Sequence, residues 1–333
     1  MDVFFDAANL RKGVILHHWD TDGIVSAAVL RNYFRANKPN VKLELFMPTI
    51  TNYYITEDQF SYLQAQGYEF VITCDLNLPA DVVARLAELW PGQVYFFDHH
   101  HHPAPHPNVH YYNKPHPACA SHIAEILELP YDLLPVMAMV GDREESIQQD
   151  TQFYPYVRET MAEHNLTFSQ LLHARRLIDS NYIMDDYQGI QETIQLLQDD
   201  PLAIFSDVRL EKNLQTIDAT IAQLVSNEPQ KLSEVVWFWP IETPLAILSH
   251  VTRSLSRQYP DKIIVTRQHK SGQFTCYVRR RDAKFDARDM IAYAHGLGLN
   301  SGGKEEVAGI IIPEDRVEQI FPQLQTKLLE LAV

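Results

Sequence analysis

The chain has 333 residues, of which 46% are hydrophobic and 21% are charged, and this balance is typical of a folded globular protein rather than a disordered one. The length favours two domains over a single core. No apolar run approaches the roughly 18 residues that a membrane-spanning helix needs, so we expect no membrane association.

Three cysteines, Cys74, Cys119 and Cys276, are widely separated and form no CxxC pair. An odd number at such spacings gives no disulfide framework. The first residues, MDVFFDAANLRKG, lack the apolar core of a cleavable signal peptide. Together these features predict a reducing, cytoplasmic setting.

The net charge of −15 is unevenly distributed. Residues 231–333 contain 14 Lys and Arg against 12 Asp and Glu, a net charge of +2, so residues 1–230 carry −17. A strongly acidic region repels long polyanions. The charge therefore disfavours binding of a long duplex and is compatible with a short nucleotide held by a local basic patch in the second part.

The first half of the chain alternates strand-like and helix-like segments. Three apolar runs predict strands: GVILHHWD, YEFVITCD and GQVYFFD. Helical spacing of apolar residues marks the intervening segments DGIVSAAVLRNYFRAN and ADVVARLAELW. Strands that alternate with helices predict an α/β fold with a mainly parallel sheet.

The second half begins with a helical stretch from about residue 184 to 224. The strand-like segments SEVVWFWP, DKIIVTRQ, GQFTCYVRR and IIIP follow, with a helix over TPLAILSHVTRSLSRQ and another at the end. A glycine-rich segment, AHGLGLNSGGKEEVAG, precedes IIIP. We predict a first α/β domain over residues 1–185, a helical linker over 186–228 and a smaller α/β domain over 229–333.

Aspartates terminate or follow the three strands of the first half, at Asp20, Asp75 and Asp98. In open α/β sheets the ligand crevice lies at the carboxyl ends of the strands, so these side chains should be neighbours in space. Further polar residues flank them or follow the apolar run LLPVMAMV: His18, Asp22, His99, His100 and Asp142.

Carboxylates crowded this closely cannot all ionise unless cations offset their charge. Asp and His together suit a divalent ion such as Mn²⁺, and Mg²⁺ is a second candidate. The lack of nearby cysteines argues against a structural zinc site. There are enough ligands for two ions, and a pair about 4 Å apart activates water and clamps a phosphoryl group.

Each residue also has an ordinary structural explanation. A strand-terminal aspartate commonly caps a helix, His17 and His18 fit the end of a strand, and Gly141-Asp142 is a common turn pair. The shared position of all these residues at strand ends favours a common metal centre. We expect His101 and His102, the last residues of the run DHHHH, to be peripheral.

Four ordered motifs resemble those of the DHH phosphoesterases: HHWDTDG with Ser26, Asp75 after a strand, the DHH of residues 98–100, and the GD of residues 141–142. That superfamily includes RecJ-type exonucleases, nano-RNases, cyclic-dinucleotide phosphodiesterases and, more distantly, family II inorganic pyrophosphatases. In the second half, CYVRRRD and SGGKEEVAG resemble the associated DHHA1 substrate-binding domain.

The resemblance implies roles for the strand-end residues. One Mn²⁺ would be bound by His18, Asp20 and Asp75. The other would be bound by Asp22, Asp75, His99 and Asp142, with Asp75 bridging. Asp98 would orient a histidine, and His100 would contact the scissile phosphate. The implied catalytic residues are His100, Asp98 and Asp22.

In the DHHA1-like part, the resemblance implies that Arg279 and a glycine loop around Gly302 and Gly303 hold the substrate. We add Arg280 and Lys304 as candidate substrate contacts, although a solvated strand end is the alternative for the arginines. Lys304 stands where the family loop usually has histidine. Lysine can meet a phosphate, but it cannot stack on a base or titrate near neutral pH as imidazole does.

The leading interpretation is a Mn²⁺-dependent phosphodiesterase that acts on short oligonucleotides or nucleotides. A second is a phosphomonoesterase or phosphoanhydride hydrolase acting on 3′-phosphoadenosine-type nucleotides or polyphosphate, which Lys304 favours slightly. A third is a catalytically inactive scaffold of a replication or repair complex, against which the filled motif positions count. A homodimer is compatible with the sequence but is not indicated by it.

Overall fold

The computed structural model describes residues 10–50, 54–100, 106–270, 272–282 and 284–332. The chain divides into two compact units, Met1–Leu214 and Gln215–Val333. Each unit is built around one β-sheet. Among the described residues, no helix combines the length and apolar character needed to cross a bilayer.

The first unit contains a five-stranded sheet in the order β2-β1-β3-β4-β5, and all its neighbouring strands pair in parallel. The predicted α/β fold with a parallel sheet is therefore confirmed. The strands are β1 (Lys12–His17), β2 (Lys42–Phe46), β3 (Phe70–Cys74), β4 (Val94–Asp98) and β5 (Val109–Asn113). The two strands that the sequence pattern did not reveal, β2 and β5, are the edge strands. Their residues are half-buried or exposed, so they lack the continuous apolar run of a central strand.

Helices cover both faces of this sheet because successive strand residues point to opposite sides. Ile15 and Ile72 face one side, where they pack with apolar residues of α1, α4 and α5. Leu16 and Val71 face the other side, against α2 and α3. The helices are α1 (Thr21–Asn37), α2 (Glu57–Ala65), α3 (Ala80–Leu89), α4 (Cys119–Ile126), α5 (Leu133–Arg143), α6 (Tyr154–Glu163) and α7 (Phe168–Ile183).

The predicted helical stretch of residues 184–224 consists of two helices, α8 (Tyr187–Asp199) and α9 (Val208–Val225). They are separated by a 3₁₀ turn, Pro201–Ser206, whose proline cannot continue the preceding helix. Buried apolar residues of α8 belong to the core of the first unit. The division between the units falls inside α9 and inside the predicted linker, and the three-part domain boundaries stay a prediction.

The second unit contains a six-stranded sheet in the order β10-β11-β9-β8-β7-β6. Strands β7 and β8 pair in parallel and the other neighbours pair antiparallel. The strands are β6 (Gln230–Lys231), β7 (Val236–Ile241), β8 (Ile263–Lys270), β9 (Gln273–Arg279), β10 (Asn300–Lys304) and β11 (Val307–Pro313). The helices are α10 (Leu248–Gln258), α11 (Arg288–Gly296) and α12 (Val317–Leu331). The predicted second α/β domain is thus present.

The glycine-rich segment differs from its prediction. Gly302 and Gly303 lie in the edge strand β10, which pairs with β11, rather than in a loop. Gly303 has φ of 145°, and a Cβ added there would lie 2.1 Å from the carbonyl oxygen of Val307. Glycine is therefore required at residue 303 by the close approach of the two strands. A Cβ added at Gly302 would meet no atom within 4 Å.

These two glycines form a matched pair for a stability measurement. We expect Gly303→Ala to lower the free energy of unfolding by about 1–3 kcal/mol, because alanine must adopt a strained backbone against Val307. Gly302→Ala should change it by about 0.5 kcal/mol or less. Urea unfolding followed by tryptophan fluorescence measures both, and equal losses would contradict the requirement for glycine at residue 303.

Candidate metal centre at the strand ends

The segments that follow β1, β3 and β4 meet at the carboxyl edge of the parallel sheet. Strand β1 lies between β2 and β3, so the chain changes direction across the sheet at the β1–β3 pair. Ligand crevices of open α/β sheets form at such a switch point. His17 and Cys74 are paired in register at the ends of β1 and β3. The polar residues that follow them therefore begin side by side at the carboxyl edge of the sheet.

A first group of side chains comprises His18, Asp20 and Asp75, whose ligand atoms all lie within 4.8 Å of one another. His18 Nδ1 lies 2.8 Å from Asp20 Oδ1 and 3.7 Å from Asp75 Oδ2. Asp20 is also the N-cap of α1, since its Oδ1 accepts the N–H of Gly23 at 3.1 Å. Asp20 therefore both caps helix α1 and belongs to this group of potential metal ligands.

Asp75 adopts an unusual backbone conformation, with φ of 57°. Non-glycine residues rarely occupy this left-handed region, and aspartate tolerates it better than most. The Asp75 N–H donates to the carbonyl of Phe97 in β4 at 3.1 Å, which helps to hold the conformation. As a result one carboxylate oxygen faces His18 and the other lies 3.4 Å from His99 Nε2. Asp75 thus stands between two groups of potential ligands.

The second group comprises Asp75, Asp98, His99 and His100. The Nδ1–H of His99 donates to the carbonyl of His116 at 3.0 Å, so Nε2 keeps its lone pair in the neutral ring. That Nε2 atom is buried, lies 3.6 Å from Asp22 Oδ2, and has no hydrogen-bond partner within the described ranges. A buried imidazole nitrogen without a partner, facing two carboxylates, fits a metal ligand whose other nitrogen is anchored to a carbonyl.

Asp22 links this centre to the start of α4. Its two carboxylate oxygens accept the backbone N–H groups of Cys119 at 2.6 Å and Ala120 at 2.9 Å. The N-cap residue of α4, Ala118, provides no side-chain cap, so Asp22 supplies the acceptor from α1. Burial raises the pKa of Asp22 to about 7.

Asp98 organises the DHH segment. Its Oδ1 accepts the backbone N–H groups of His99 at 2.7 Å and His100 at 2.9 Å, and also lies 2.8 Å from His100 Nδ1. This side-chain hydrogen bond raises the pKa of His100. The His100 side chain is 44% exposed. Asp98 therefore fixes an imidazole that remains open to solvent.

Asp142 lies at the exposed end of α5 and is not part of either tight group. Burial is the main cause of the raised pKa of Asp22, and the charge of Asp142 raises it further. Asp142 is therefore close enough to influence the centre electrostatically. His101 and His102 lie outside the described residues.

The carboxyl groups of this centre oppose one another's ionisation. Burial, followed by the charges of Asp22, Asp20, Asp98 and Asp142, raises the pKa of Asp75 well above its ordinary range. Burial acts in the same direction on Asp20, but the neighbouring His18 holds the pKa of Asp20 below its usual range. A cation among these groups would relieve the repulsion.

Sequence inspection missed the anchor of the turn between Asp20 and Asp22. The N–H and hydroxyl of Thr21 both donate to Asp179 Oδ1 in α7, at 2.9 and 2.8 Å. Arg175 Nε pairs with the other oxygen of Asp179 at 3.2 Å. In the sequence, the spacing of Arg175 and Asp179 indicates an i,i+4 ion pair on one helix. It does not indicate that Asp179 binds Thr21, which lies 158 residues away along the chain.

The predicted substrate residues of the second unit have acidic partners. Arg279 Nη2 lies 2.7 Å from Glu306 Oε1, and Lys304 Nζ lies 3.6 Å from the same oxygen. Arg280 is buried and paired with Asp282. The side chain of Lys304 is mostly exposed. Of these cations, Lys304 is the most accessible to a ligand.

Comparison with known families identifies the first unit. A model described as the DHH family, N-terminal domain, matches residues 12–151, which include all the strand-end residues described above. Residues 12–151 belong to the DHH family. No curated protein sequence matches the chain.

Solved structures extend the likeness beyond the DHH domain. A DHH-domain protein described as a member of a family of ribosomal proteins has a TM-score of 0.66 at 16% identity, with 96% of this chain and 87% of that chain covered. The exonuclease RecJ bound to manganese has a TM-score of 0.63 at 17% identity, with 95% and 90% covered. RecJ from Thermus thermophilus in complex with Mg²⁺ has a TM-score of 0.58 at 15% identity, with 98% and 51% covered.

The pGpG-specific phosphodiesterase PggH from Vibrio cholerae has a TM-score of 0.50 at 13% identity, with 96% of this chain and 99% of that chain covered. Identities this low establish a shared fold. Because each match covers nearly the whole chain, the shared fold includes the second unit as well as the DHH domain.

The raised pKa of Asp75 predicts how the metal-free protein responds to pH. In the unfolded chain this group ionises near pH 4, whereas in the folded protein it ionises at a higher pH. Its contribution to stability is therefore present below about pH 4 and is lost as pH rises through the folded-state pKa. With EDTA present, we expect ionisation of Asp75 to lower the melting temperature of the unaltered protein as pH rises above about 4.

In Asp75→Asn, asparagine tolerates the same left-handed backbone conformation and has nearly the same side-chain shape, but it carries no charge. At pH 8 without metal, we expect this variant to melt about 3–8 °C above the unaltered protein, with a shallower pH dependence. The exposed Asp58→Asn in α2 is the matched control and should leave the pH profile unchanged. Parallel pH profiles for the unaltered protein and Asp75→Asn would contradict the raised pKa of Asp75.

Proposed function

We propose that the protein is a metal-dependent phosphoesterase that hydrolyses phosphodiester bonds of short oligonucleotides or nucleotides. One observation carries the proposal: the buried His99 Nε2 has no hydrogen-bond partner among described residues and faces the carboxylates of Asp22 and Asp75. Such an arrangement is costly unless a cation occupies it.

The donor set fits two divalent ions. His18, Asp20 and Asp75 would hold one, and Asp22, Asp75 and His99 would hold the other with Asp142 as a further ligand. Carboxylates mixed with imidazoles favour Mn²⁺, with Mg²⁺ as the second candidate. When bound, such a pair of ions activates water and neutralises charge that develops on a phosphoryl group.

The protein's own residues would position and polarise the substrate. Protonated His100 would donate a hydrogen bond to an oxygen of the scissile phosphate, where negative charge increases during attack. Asp98 raises the pKa of His100 and fixes the direction of its ring. Asp22, tied to two backbone N–H groups, would keep its ligand oxygens in place without side-chain motion.

A short substrate is favoured by charge. The first part of the chain carries −17 and would repel a long polyanion. In the second unit, Glu306 offsets Arg279, and Asp282 offsets Arg280, so an extended basic track is not supported. The descriptions of two neighbours in fold, an exonuclease and a pGpG-specific phosphodiesterase, support a phosphodiester substrate.

A second candidate function is hydrolysis of a phosphomonoester or phosphoanhydride. It is favoured by the exposed Lys304, a point charge that suits phosphate without selecting a base. The third interpretation, an inactive scaffold, is disfavoured because a residue able to bind metal stands at every motif position, and His18, Asp20, Asp75 and His99 lie close to one another.

A hydrolysis panel tests these functions. With Mn²⁺ present, the substrates are a dinucleotide RNA, a cyclic dinucleotide, a single-stranded 20-mer, a 3′-phosphorylated nucleotide and polyphosphate. We expect cleavage of the short phosphodiesters, and a loss of more than about 100-fold in Asp22→Ala/His99→Ala because both residues would bind metal.

The matched control is Asp199→Ala/His173→Ala, which removes an exposed aspartate and a partly exposed histidine of the same unit and should keep full activity. Cleavage restricted to polyphosphate or the 3′-phosphate would select the second candidate. Absence of both hydrolysis and Mn²⁺ binding would end the enzyme interpretation.

The hydrogen bond between Asp98 and His100 can be tested separately from hydrolysis. In Asp98→Asn the backbone N–H groups keep an oxygen acceptor, but the ring of His100 loses a charged partner. We expect the pKa of His100 in the metal-free protein to fall because this hydrogen bond is what raises it, as measured by NMR titration. An unchanged pKa would show that Asp98 does not set the protonation of His100.

A further inference from the structure

A further group of metal-ligand residue types lies in the segment from β5 into α4, next to the strand-end ligand His99, whose Nδ1–H donates to the carbonyl of His116. His116, His122 and Glu125 each offer one ligand atom, and these atoms lie within 4.8 Å of one another. His122 and Glu125 are three residues apart in α4, so they share one face of the helix. His116 approaches from the connection before the helix. None of the three is a candidate ligand of the metal centre at the strand ends.

The hydrogen bonds of His116 leave one ring nitrogen directed at a carboxylate. Its Nδ1 lies 2.7 Å from Ser121 Oγ, and that hydroxyl donates its proton to the carbonyl of Ala118 at 2.8 Å. In that arrangement Ser121 Oγ accepts from His116 Nδ1–H. In the neutral ring, the lone pair of His116 Nε2 then faces Glu125 Oε2 at 3.0 Å. Two acceptors this close require a shared proton or a cation.

His122 supplies the second, independent observation. It is 3% exposed, and neither of its ring nitrogens has a hydrogen-bond partner within the described ranges. The backbone of Tyr112 raises the pKa of the ring, as the smallest of the influences on it. Burying an imidazole without partners is unfavourable. Burial also lowers the pKa of His122 to about 4, so the ring is neutral at pH 7 and keeps a lone pair for a metal.

The surroundings leave a route for an ion. The ring of Phe153 lies 4.6 Å from that of His116 and closes one side with an apolar surface. Lys114 Nζ lies 2.5 Å from Glu125 Oε1, which leaves Oε2 turned toward His116. The side chain of Glu125 is 44% exposed. An ion can therefore enter from the side of Glu125.

We propose that His116, His122 and Glu125 bind one divalent transition-metal ion of the zinc class, at a site separate from the strand-end metal centre. Two imidazoles and one carboxylate form a set that zinc accepts, with a fourth position left for water. The strand-end centre is richer in carboxylates and favours harder ions. The two sites therefore differ in the ions they select.

Metal content and cobalt spectroscopy of the full-length protein test this site. After equilibration with Zn²⁺ and removal of free ion, we expect His122→Gln to retain one Zn²⁺ per chain fewer than the unaltered protein. Glu125→Gln, an exposed change that leaves the core intact, should weaken binding of that ion by about 10–100-fold. Co²⁺ in place of Zn²⁺ should give visible absorption bands of a four-coordinate ion, and both variants should reduce them.

Two controls separate this site from other sources of binding. His173→Gln, a partly exposed histidine elsewhere in the same unit, should keep the metal content of the unaltered protein. Asp75→Asn impairs the strand-end centre but should keep the Zn²⁺ that His122→Gln loses, so failure of the proposed function and failure of this site give different results. Equal Zn²⁺ content and equal Co²⁺ spectra in the unaltered protein, His122→Gln and Glu125→Gln would overturn the proposal.

Discussion

Repulsion among buried carboxyl groups at one sheet edge is the constraint on which the first unit depends. Asp22, Asp75 and Asp98 are each at most 3% exposed, and charges so placed are tolerable only with compensation. The fold supplies backbone N–H donors to Asp22 and Asp98 and imidazoles beside Asp75. The remaining imbalance is what a cation would relieve.

The candidate ligands also hold the scaffold together. Asp20 caps its own helix α1, and Asp22 caps α4, whose first residues are almost 100 positions further along the chain. His99 is tied through the carbonyl of His116 to the segment that enters α4. Asp20, Asp22 and His99 thus each have a structural partner that limits their motion. Such second contacts are what keep ligand geometry within the narrow range that metal chemistry needs.

The sequence allowed the parallel sheet, the second sheet domain and the DHH family to be predicted, because apolar strands followed by charged residues are a local pattern. Edge strands β2 and β5 were not predicted, because their half-buried residues do not form a continuous apolar run. The contacts of Asp179 with Thr21, and of His116 with His99, depend on tertiary packing, which spacing does not show. Gly302 and Gly303 were misassigned to a loop because glycine marks a close approach of strands as readily as a turn.

The backbone of Asp75 limits which substitutions this protein can accept at that position. At φ of 57° only glycine, asparagine and aspartate are readily accommodated. A variant that loses the candidate metal centre and keeps the architecture has few substitutions open at this position. Asparagine or glycine at this position would keep the backbone conformation and remove the carboxylate that stands between the two groups of candidate ligands.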